Sequence, residues 1–156
     1  MSPLKLTLSI IGSLIGFGLL LVVILTFAYL LSNHTNGHLL SSGERRSYLL
    51  HVPKSHDPST PAPLVIVIHG FAQWPANQAR VSQWNKLADE KGFIVVYPSG
   101  TKFPKRWRAS AISVEGKDPL IDVKFLSDLM DKLGGQYRLD PARIYVTGLS
   151  NGAGMT

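Results

Sequence analysis

An apolar segment without a charged residue opens the chain. It runs from Leu6 to Leu31, long enough at about 1.5 Å per residue to cross a hydrocarbon core of about 30 Å. A secretory signal peptide has a shorter apolar core and a small-x-small exit, which only residues 26–28 suggest. We therefore predict that residues 1–32 are a membrane anchor, with a cleaved signal segment as the alternative.

Polar residues replace the apolar ones abruptly after this segment. Residues 33–43 contain two asparagines, two glycines and paired serines, a composition typical of a linker. We predict a polar linker over residues 33–43 and a folded domain over residues 44–156.

Four apolar runs in that domain have the pattern of β-strands. One run, over residues 47–52, alternates weakly, whereas Leu64–Ile68, Phe93–Tyr97 and Arg143–Thr147 are nearly continuous. Continuous short runs are typical of strands buried on both faces, and such strands belong to parallel sheets.

Helical periodicity separates these strands. Val81, Trp84, Leu87 and Ala88 share one helical face, and Gly92 follows as a stop. A second helix is predicted to begin at Asp118 and Pro119 and to end at Gly134-Gly135, with an apolar stripe of Leu120, Val123, Leu126, Leu129, Met130 and Leu133. The alternation predicts an α/β fold, with a mostly parallel sheet, helices on both faces and functional loops at the carboxyl ends of the strands.

Composition narrows the possible partners. The formal charge is +6, but the sixteen Lys and Arg residues are scattered and form no recognised nucleic-acid-binding module. The chain has no cysteine, which excludes disulfides and thiolate metal sites. We predict no nucleic-acid partner, no metal and no cofactor, and the composition leaves the oligomeric state open.

A G-x-S-x-G sequence follows the last predicted strand. In Gly148-Leu149-Ser150-Asn151-Gly152, the spacing matches the turn that projects a nucleophilic serine from the top of a sheet. The turn is tight, so a Cβ at Gly148 or Gly152 would clash with its neighbours. We predict Ser150 as a nucleophile and the main-chain N–H of Asn151 as an oxyanion donor.

A second oxyanion donor is expected in the loop after an earlier strand. His69-Gly70-Phe71 directly follows Leu64–Ile68, and we predict the N–H of Phe71 as that donor. His69 is interpreted as a structural residue of this loop rather than a catalytic base. In hydrolases with this G-x-S-x-G turn, the base follows the nucleophile in the sequence. Asp122, early in a helix, is likewise interpreted as structural. Residues 102–108 mix basic and aromatic side chains, and we predict a surface loop near the substrate cleft, with Trp107 lining it.

These motifs, taken in order, resemble one family, the poly(3-hydroxybutyrate) depolymerase-like esterases, which are similar to feruloyl and acetylxylan esterases. The resemblance implies a secreted or surface serine esterase of α/β-hydrolase fold that acts on esters such as a polyester or an acylated polysaccharide. Phe71, Ile121 and Ala153 depart from residues frequent in the family and leave the substrate open. The resemblance covers residues 46–156 and rests on residues 63–70, 84–93, 96–98, 122–126 and 140–152.

The other two members of a catalytic triad are missing from the sequence. In this fold an acid and then a histidine follow the serine, whereas all five histidines precede Ser150 and only six residues follow it. A serine without a base is a weak nucleophile. We therefore expect residues 44–156 to be an incomplete hydrolase domain, inactive alone and held outside the cytoplasm by the anchor or secreted after signal cleavage. A catalytically silent binding protein at the membrane is the alternative.

Overall fold

The chain divides into two compact units, residues 1–32 and 33–156. The computed structural model describes residues 2–108 and 120–156. The first unit is one helix, α1 (Pro3–Ser32). Its residues Pro3–Leu31 have a mean hydropathy of 2.7 and are long and apolar enough to cross a membrane, a test that a signal sequence also passes. The helix agrees with an anchor or a signal and does not decide between them.

A five-stranded mixed sheet forms the second unit. β3 pairs in parallel with β4 and β5, as the three continuous apolar runs predict. β2 pairs antiparallel with β1 and with β4, so the prediction of a mostly parallel sheet is wrong for this side of it. The strands, in the spatial order β1-β2-β4-β3-β5, are β1 (Gly37–Ser41), β2 (Glu44–His51), β3 (Ala62–Ile68), β4 (Ile94–Pro98) and β5 (Leu139–Gly148).

Strand β1 lies inside the segment predicted as a linker. Residues 37–41 pair with β2 through a two-residue turn, Ser42-Gly43, in which both residues have positive φ. Such turns match the twist of a hairpin. Leu39 also packs against the core, so the linker prediction is wrong for these five residues, which the hairpin and this contact hold in the sheet.

The helices differ from their predicted bounds. They are α2 (Pro75–Ser82), α3 (Trp84–Lys91) and α4 (Leu120–Gln136), followed by a 3₁₀ helix at Ser150–Met155. The single helix predicted around residues 81–88 is two helices, because Gln83 adopts a left-handed conformation between them. Helix α4 also continues through Gly134-Gly135, and its predicted start at Asp118 and Pro119 lies outside the described residues.

The apolar stripe of α4 is wrong in its first turn. Leu120 and Val123 are exposed, whereas Asp122 and Phe125 are fully buried. Sequence hydrophobicity assigns the wrong face here because a charged residue, Asp122, takes the core-facing position.

Helices cover both faces of the sheet, as predicted. Alternate side chains of a strand point to opposite faces, and in β3 Leu64 and Ile66 pack against α4. Val65 and Val67 pack against α2 and α3. β3 lies between β4 and β5, and the carboxyl ends of these three parallel strands meet at one edge, where the predicted functional residues lie.

Candidate active site

The predicted nucleophile follows β5 at the carboxyl edge of the sheet. β5 ends at Gly148, which pairs with Ile68, and the N–H of Leu149 still donates to the Ile68 carbonyl at 3.1 Å. Ser150 then turns sharply, with φ of +50°, and begins the 3₁₀ helix. A non-glycine residue in this conformation costs on the order of 1–3 kcal/mol and persists only where its surroundings impose it.

Two glycines make this turn possible. A Cβ on Gly148 would collide with the backbone of Gly152 and Ala153. A Cβ on Gly152 would lie 2.5 Å from the His69 carbonyl oxygen and 2.6 Å from that of Ile68. Neither glycine that flanks Ser150 has space for a side chain, and the turn packs directly on the end of β3.

The predicted oxyanion loop lies beside the turn. A Cβ built on Gly70 would be 3.3 Å from the Leu149 carbonyl oxygen, so the two segments are in close contact. The Gly70 N–H donates to the Gln73 side chain at 3.2 Å, and the Ala72 N–H to the Lys105 carbonyl at 2.8 Å. These bonds fix the backbone on both sides of Phe71, whose N–H remains a predicted donor.

His69 is a neutral, buried residue of this loop. Its Nε2 accepts from the Gly100 N–H at 2.9 Å, and its Nδ1 lies 2.7 Å from the Gly70 carbonyl oxygen. The proton is therefore assigned to Nδ1. The pKa of His69 is lowered to about 4, mainly by burial and to a smaller extent by nearby Lys105, while the hydrogen bond to the Gly70 carbonyl opposes this shift. Because both ring nitrogens are engaged within the fold, the geometry agrees with the structural interpretation of this histidine.

His69 gives the fold an acid sensitivity. Its pKa of about 4 in the folded chain lies below the ordinary 6.5, so between these values the unfolded state binds a proton that the folded state excludes. We expect this group to remove up to about 3 kcal/mol of unfolding free energy as the pH falls from 7 to 4, and to have no effect above pH 7. In chemical denaturation, His69→Gln should lose less stability than the unmodified chain over that range, and an equal loss in both would contradict the expectation.

Trp107 does not line an open cleft, so that prediction is wrong. A short bridge between Thr101 and Arg106 closes the loop, and the indole that follows is fully buried. Its Nε1–H donates to the His69 carbonyl at 2.9 Å. Its backbone N–H donates to Oδ1 of Asn151 at 2.8 Å, and the Asn151 amide donates back to the Trp107 carbonyl at 3.4 Å. The Trp107 side chain packs against the His69 ring inside the fold and is not open to solvent.

Another histidine–carboxylate pair lies far from the serine. Nε2 of His51 is 2.8 Å from Oδ1 of Asp89, an arrangement that resembles a base with its orienting acid. His51 pairs with Val95 on β4, three residues below the carboxyl edge and three strands away from β5. Strand geometry puts it about 10 Å below the edge and about 14 Å across the sheet from Gly148. This pair therefore cannot activate Ser150.

A buried ion pair under the same edge was not predicted from the sequence. Asp122 accepts from Nη1 of Arg46 and from the backbone N–H of Arg108, both at 2.7 Å. Arg46 and Asp122 are 2% and 0% exposed, and the guanidinium of Arg46 lies 4.0 Å above the Phe125 ring. Asp122 thus has a structural role, as predicted. It joins α4 to β2 and to the segment that contains Trp107.

Comparison with known proteins supports a common origin with esterases. The family model described as esterase PHB depolymerase matches residues 46–156. The bifunctional acetylxylan esterase/xylanase XynS20E of Neocallimastix patriciarum is 30% identical over 78% of this chain and 16% of its own length. Poly(3-hydroxyalkanoate) depolymerase C of Paucimonas lemoignei is 35% identical over 68% of this chain and 25% of its own length. The chain thus spans a quarter or less of these two relatives.

Solved structures agree on the fold. The acetyl xylan esterase from Aspergillus awamori superposes with a TM-score of 0.61 at 23% identity, over 80% of this chain and 42% of that one. A thermostable esterase gives a TM-score of 0.60 at 24% identity, over 82% and 37%. At these identities the structural similarity shows only that the chain has the α/β-hydrolase fold. Since the family model covers most of the chain, residues 46–156 belong to the PHB depolymerase esterase family.

Proposed function

We propose that this chain supplies the nucleophile and the oxyanion hole of a serine carboxylic-ester hydrolase. The observation that carries the proposal is the backbone of Ser150, which is held at φ of +50° between a strand and a 3₁₀ helix, with glycines packed on both sides. A fold tolerates such strain where it serves function. The family membership independently favours an esterase.

In the proposed reaction Oγ of Ser150 attacks the ester carbonyl carbon. The carbonyl oxygen becomes an oxyanion, which the N–H groups of Asn151 and Phe71 stabilise. The C–O bond to the alcohol then breaks, the alcohol leaves with a proton, and the acyl group stays on Ser150. Water attacks this acyl-enzyme in the second half-reaction and releases the acid.

The proton of Ser150 must pass to a base, and within residues 2–108 and 120–156 no histidine is hydrogen-bonded to Ser150. All five histidines lie in the described residues 2–108. His69 has both nitrogens engaged, and His51 lies on another part of the sheet. We propose that the base and its orienting carboxylate come from outside residues 1–156, and that these residues alone hydrolyse esters poorly.

The names of the relatives support a substrate class. Their names specify acetylxylan and poly(3-hydroxyalkanoate), both of which are polymers with ester bonds. We propose an ester of this kind, a polyester or an acylated polysaccharide, as the substrate.

An activity-based probe tests the proposal. A fluorophosphonate reacts with serines that are activated by a base, and the complete gene product that contains this chain should be labelled at Ser150, as located by peptide mass spectrometry. Labelling lost on mild unfolding would show that the folded turn is needed. A folded gene product that stays unlabelled would instead favour the catalytically silent binding protein.

We further propose that residues 3–32 anchor the domain outside the cytoplasm. The segment is long enough to span a bilayer and carries a single charge, Lys5, near its start. Membranes washed with alkaline carbonate should therefore retain the protein, and its mature form should still contain residues 3–32 in intact-mass measurements. A mature N-terminus near Asn33 in the soluble fraction would instead establish a cleaved signal and a secreted enzyme.

A further inference from the structure

The buried side chain of Trp107 is hydrogen-bonded to the predicted oxyanion loop, and the backbone of Trp107 is paired with the turn that holds Ser150. The indole Nε1–H donates to the carbonyl of His69, two residues before Phe71. The backbone of the same residue forms a two-point pair with the side-chain amide of Asn151. Three hydrogen bonds from one residue therefore connect the two segments that carry the proposed oxyanion donors.

The carbonyl group of His69 that binds Trp107 also packs against the turn that holds Ser150. The His69 carbonyl oxygen that accepts from Trp107 is the atom against which Gly152 packs so closely that no Cβ fits. A shift of this carbonyl would therefore move the loop before Phe71 and the floor of the turn after Ser150 together.

We propose that Trp107 is a positioning residue, which holds the N–H groups of Phe71 and Asn151 at a fixed separation suited to one oxyanion. The inference rests on the proposed esterase function. Trp107 is fully buried, so it acts through His69 and Asn151 and not by touching substrate. Oxyanion donors are effective because they are preorganised, and a displacement of about 1 Å can cost about 100-fold in rate.

The test compares two substitutions that each remove a side-chain hydrogen bond of a buried aromatic residue and keep an aromatic ring. Trp107→Phe removes the bond to the His69 carbonyl. Tyr97→Phe is the matched control, because it removes the bond from the Tyr97 hydroxyl to Asn85 at 2.7 Å, in the core facing α2 and α3. Both variants are made in the complete gene product and assayed for kcat and KM with p-nitrophenyl acetate and for inhibition by phenylboronic acid, which forms a tetrahedral adduct on serine.

A positioning role predicts a selective loss. We expect Trp107→Phe to lower kcat by about 10- to 100-fold while KM changes by less than about twofold, because the lost interaction acts on the transition state. Affinity for the boronic acid should fall by a similar factor. Tyr97→Phe should keep kcat and boronic-acid affinity within about twofold. Its melting temperature should fall, because it loses a hydrogen bond.

A second variant keeps the test decisive if Trp107→Phe does not fold. Asn151→Ala retains its own backbone N–H but loses both bonds to Trp107, and it should show the same fall in kcat at unchanged KM. If the folded variants match Tyr97→Phe in kcat and inhibitor affinity while the unmodified protein is active, this inference is overturned and the proposed function stands. If the unmodified protein neither hydrolyses esters nor reacts with a fluorophosphonate, both are overturned.

Discussion

Replacing Ser150 with alanine is expected to abolish ester hydrolysis by the complete gene product. The substitution removes the only atom that can form the acyl-enzyme, so kcat/KM should fall by about 10⁴- to 10⁶-fold. The fold should be retained, because alanine removes one hydroxyl and a smaller side chain does not worsen the strain at φ of +50°. The measurements are initial rates with a chromogenic ester and labelling by a fluorophosphonate.

Ser127→Ala is the matched control for this experiment. Ser127 is an exposed serine of α4, so its loss should leave the rate and the labelling unchanged. If Ser150→Ala kept more than about a tenth of the activity, another residue would have to be the nucleophile, since loss of a true nucleophile costs far more than tenfold.

Replacing Asp122 with asparagine is expected to have the largest effect on stability. The change keeps the shape of the side chain but removes the charge that faces Arg46, which is 2% exposed. Breaking a buried pair from one side leaves a charge without compensation and costs about 3–5 kcal/mol in unfolding free energy. The bond from the Arg108 N–H to Asp122 would weaken as well. Urea denaturation followed by tryptophan fluorescence measures the loss.

Asp128→Asn on the same helix is the comparison for that measurement. Asp128 pairs with Lys124 one turn away, and the lysine side chain is 59% exposed. Solvent screens such a pair, so its loss should change stability far less than the loss of Asp122. Equal urea midpoints for the two variants would show that the buried pair with Arg46 contributes little to stability.

The sequence predicts the parallel part of the sheet well because its signal is strong. β3 and β4 are short continuous apolar runs, and such a run has few other ways to bury itself. β5 is predicted from a similar run over residues 143–147, but it lies at the edge of the sheet and its Tyr145 and Val146 are exposed, so the expected burial on both faces is wrong for this strand. Hairpin β1–β2 escaped prediction because its first strand, Gly-His-Leu-Leu-Ser, is only five residues long and does not alternate polar and apolar residues. The break at Gln83 was missed because a left-handed residue between two helices leaves the hydrophobic spacing almost unchanged.

In the candidate site, too, some features could be predicted from the sequence and others could not. The tightness of the turn at Gly148 and Gly152 follows from residue type and spacing, and the structure shows the lack of space directly. The position of Trp107 does not follow from the sequence, because an aromatic residue after a basic loop can equally face solvent or the core. A signal for the pair Arg46–Asp122 was present, since Asp122 lies three and seven positions before the buried residues Phe125 and Leu129. A carboxylate in phase with a buried stripe requires a buried cation.

The pairing of β5 with β3 sets the moment at which the nucleophile turn can form during synthesis. Ile68 and Gly148, whose pairing holds the turn, lie about 80 positions apart in the chain, and contacts between such distant segments form late in folding. Until they meet, nothing imposes the strained backbone on Ser150. A chain that is still extended would therefore carry the proposed nucleophile without the turn that presents it, until β5 pairs with β3.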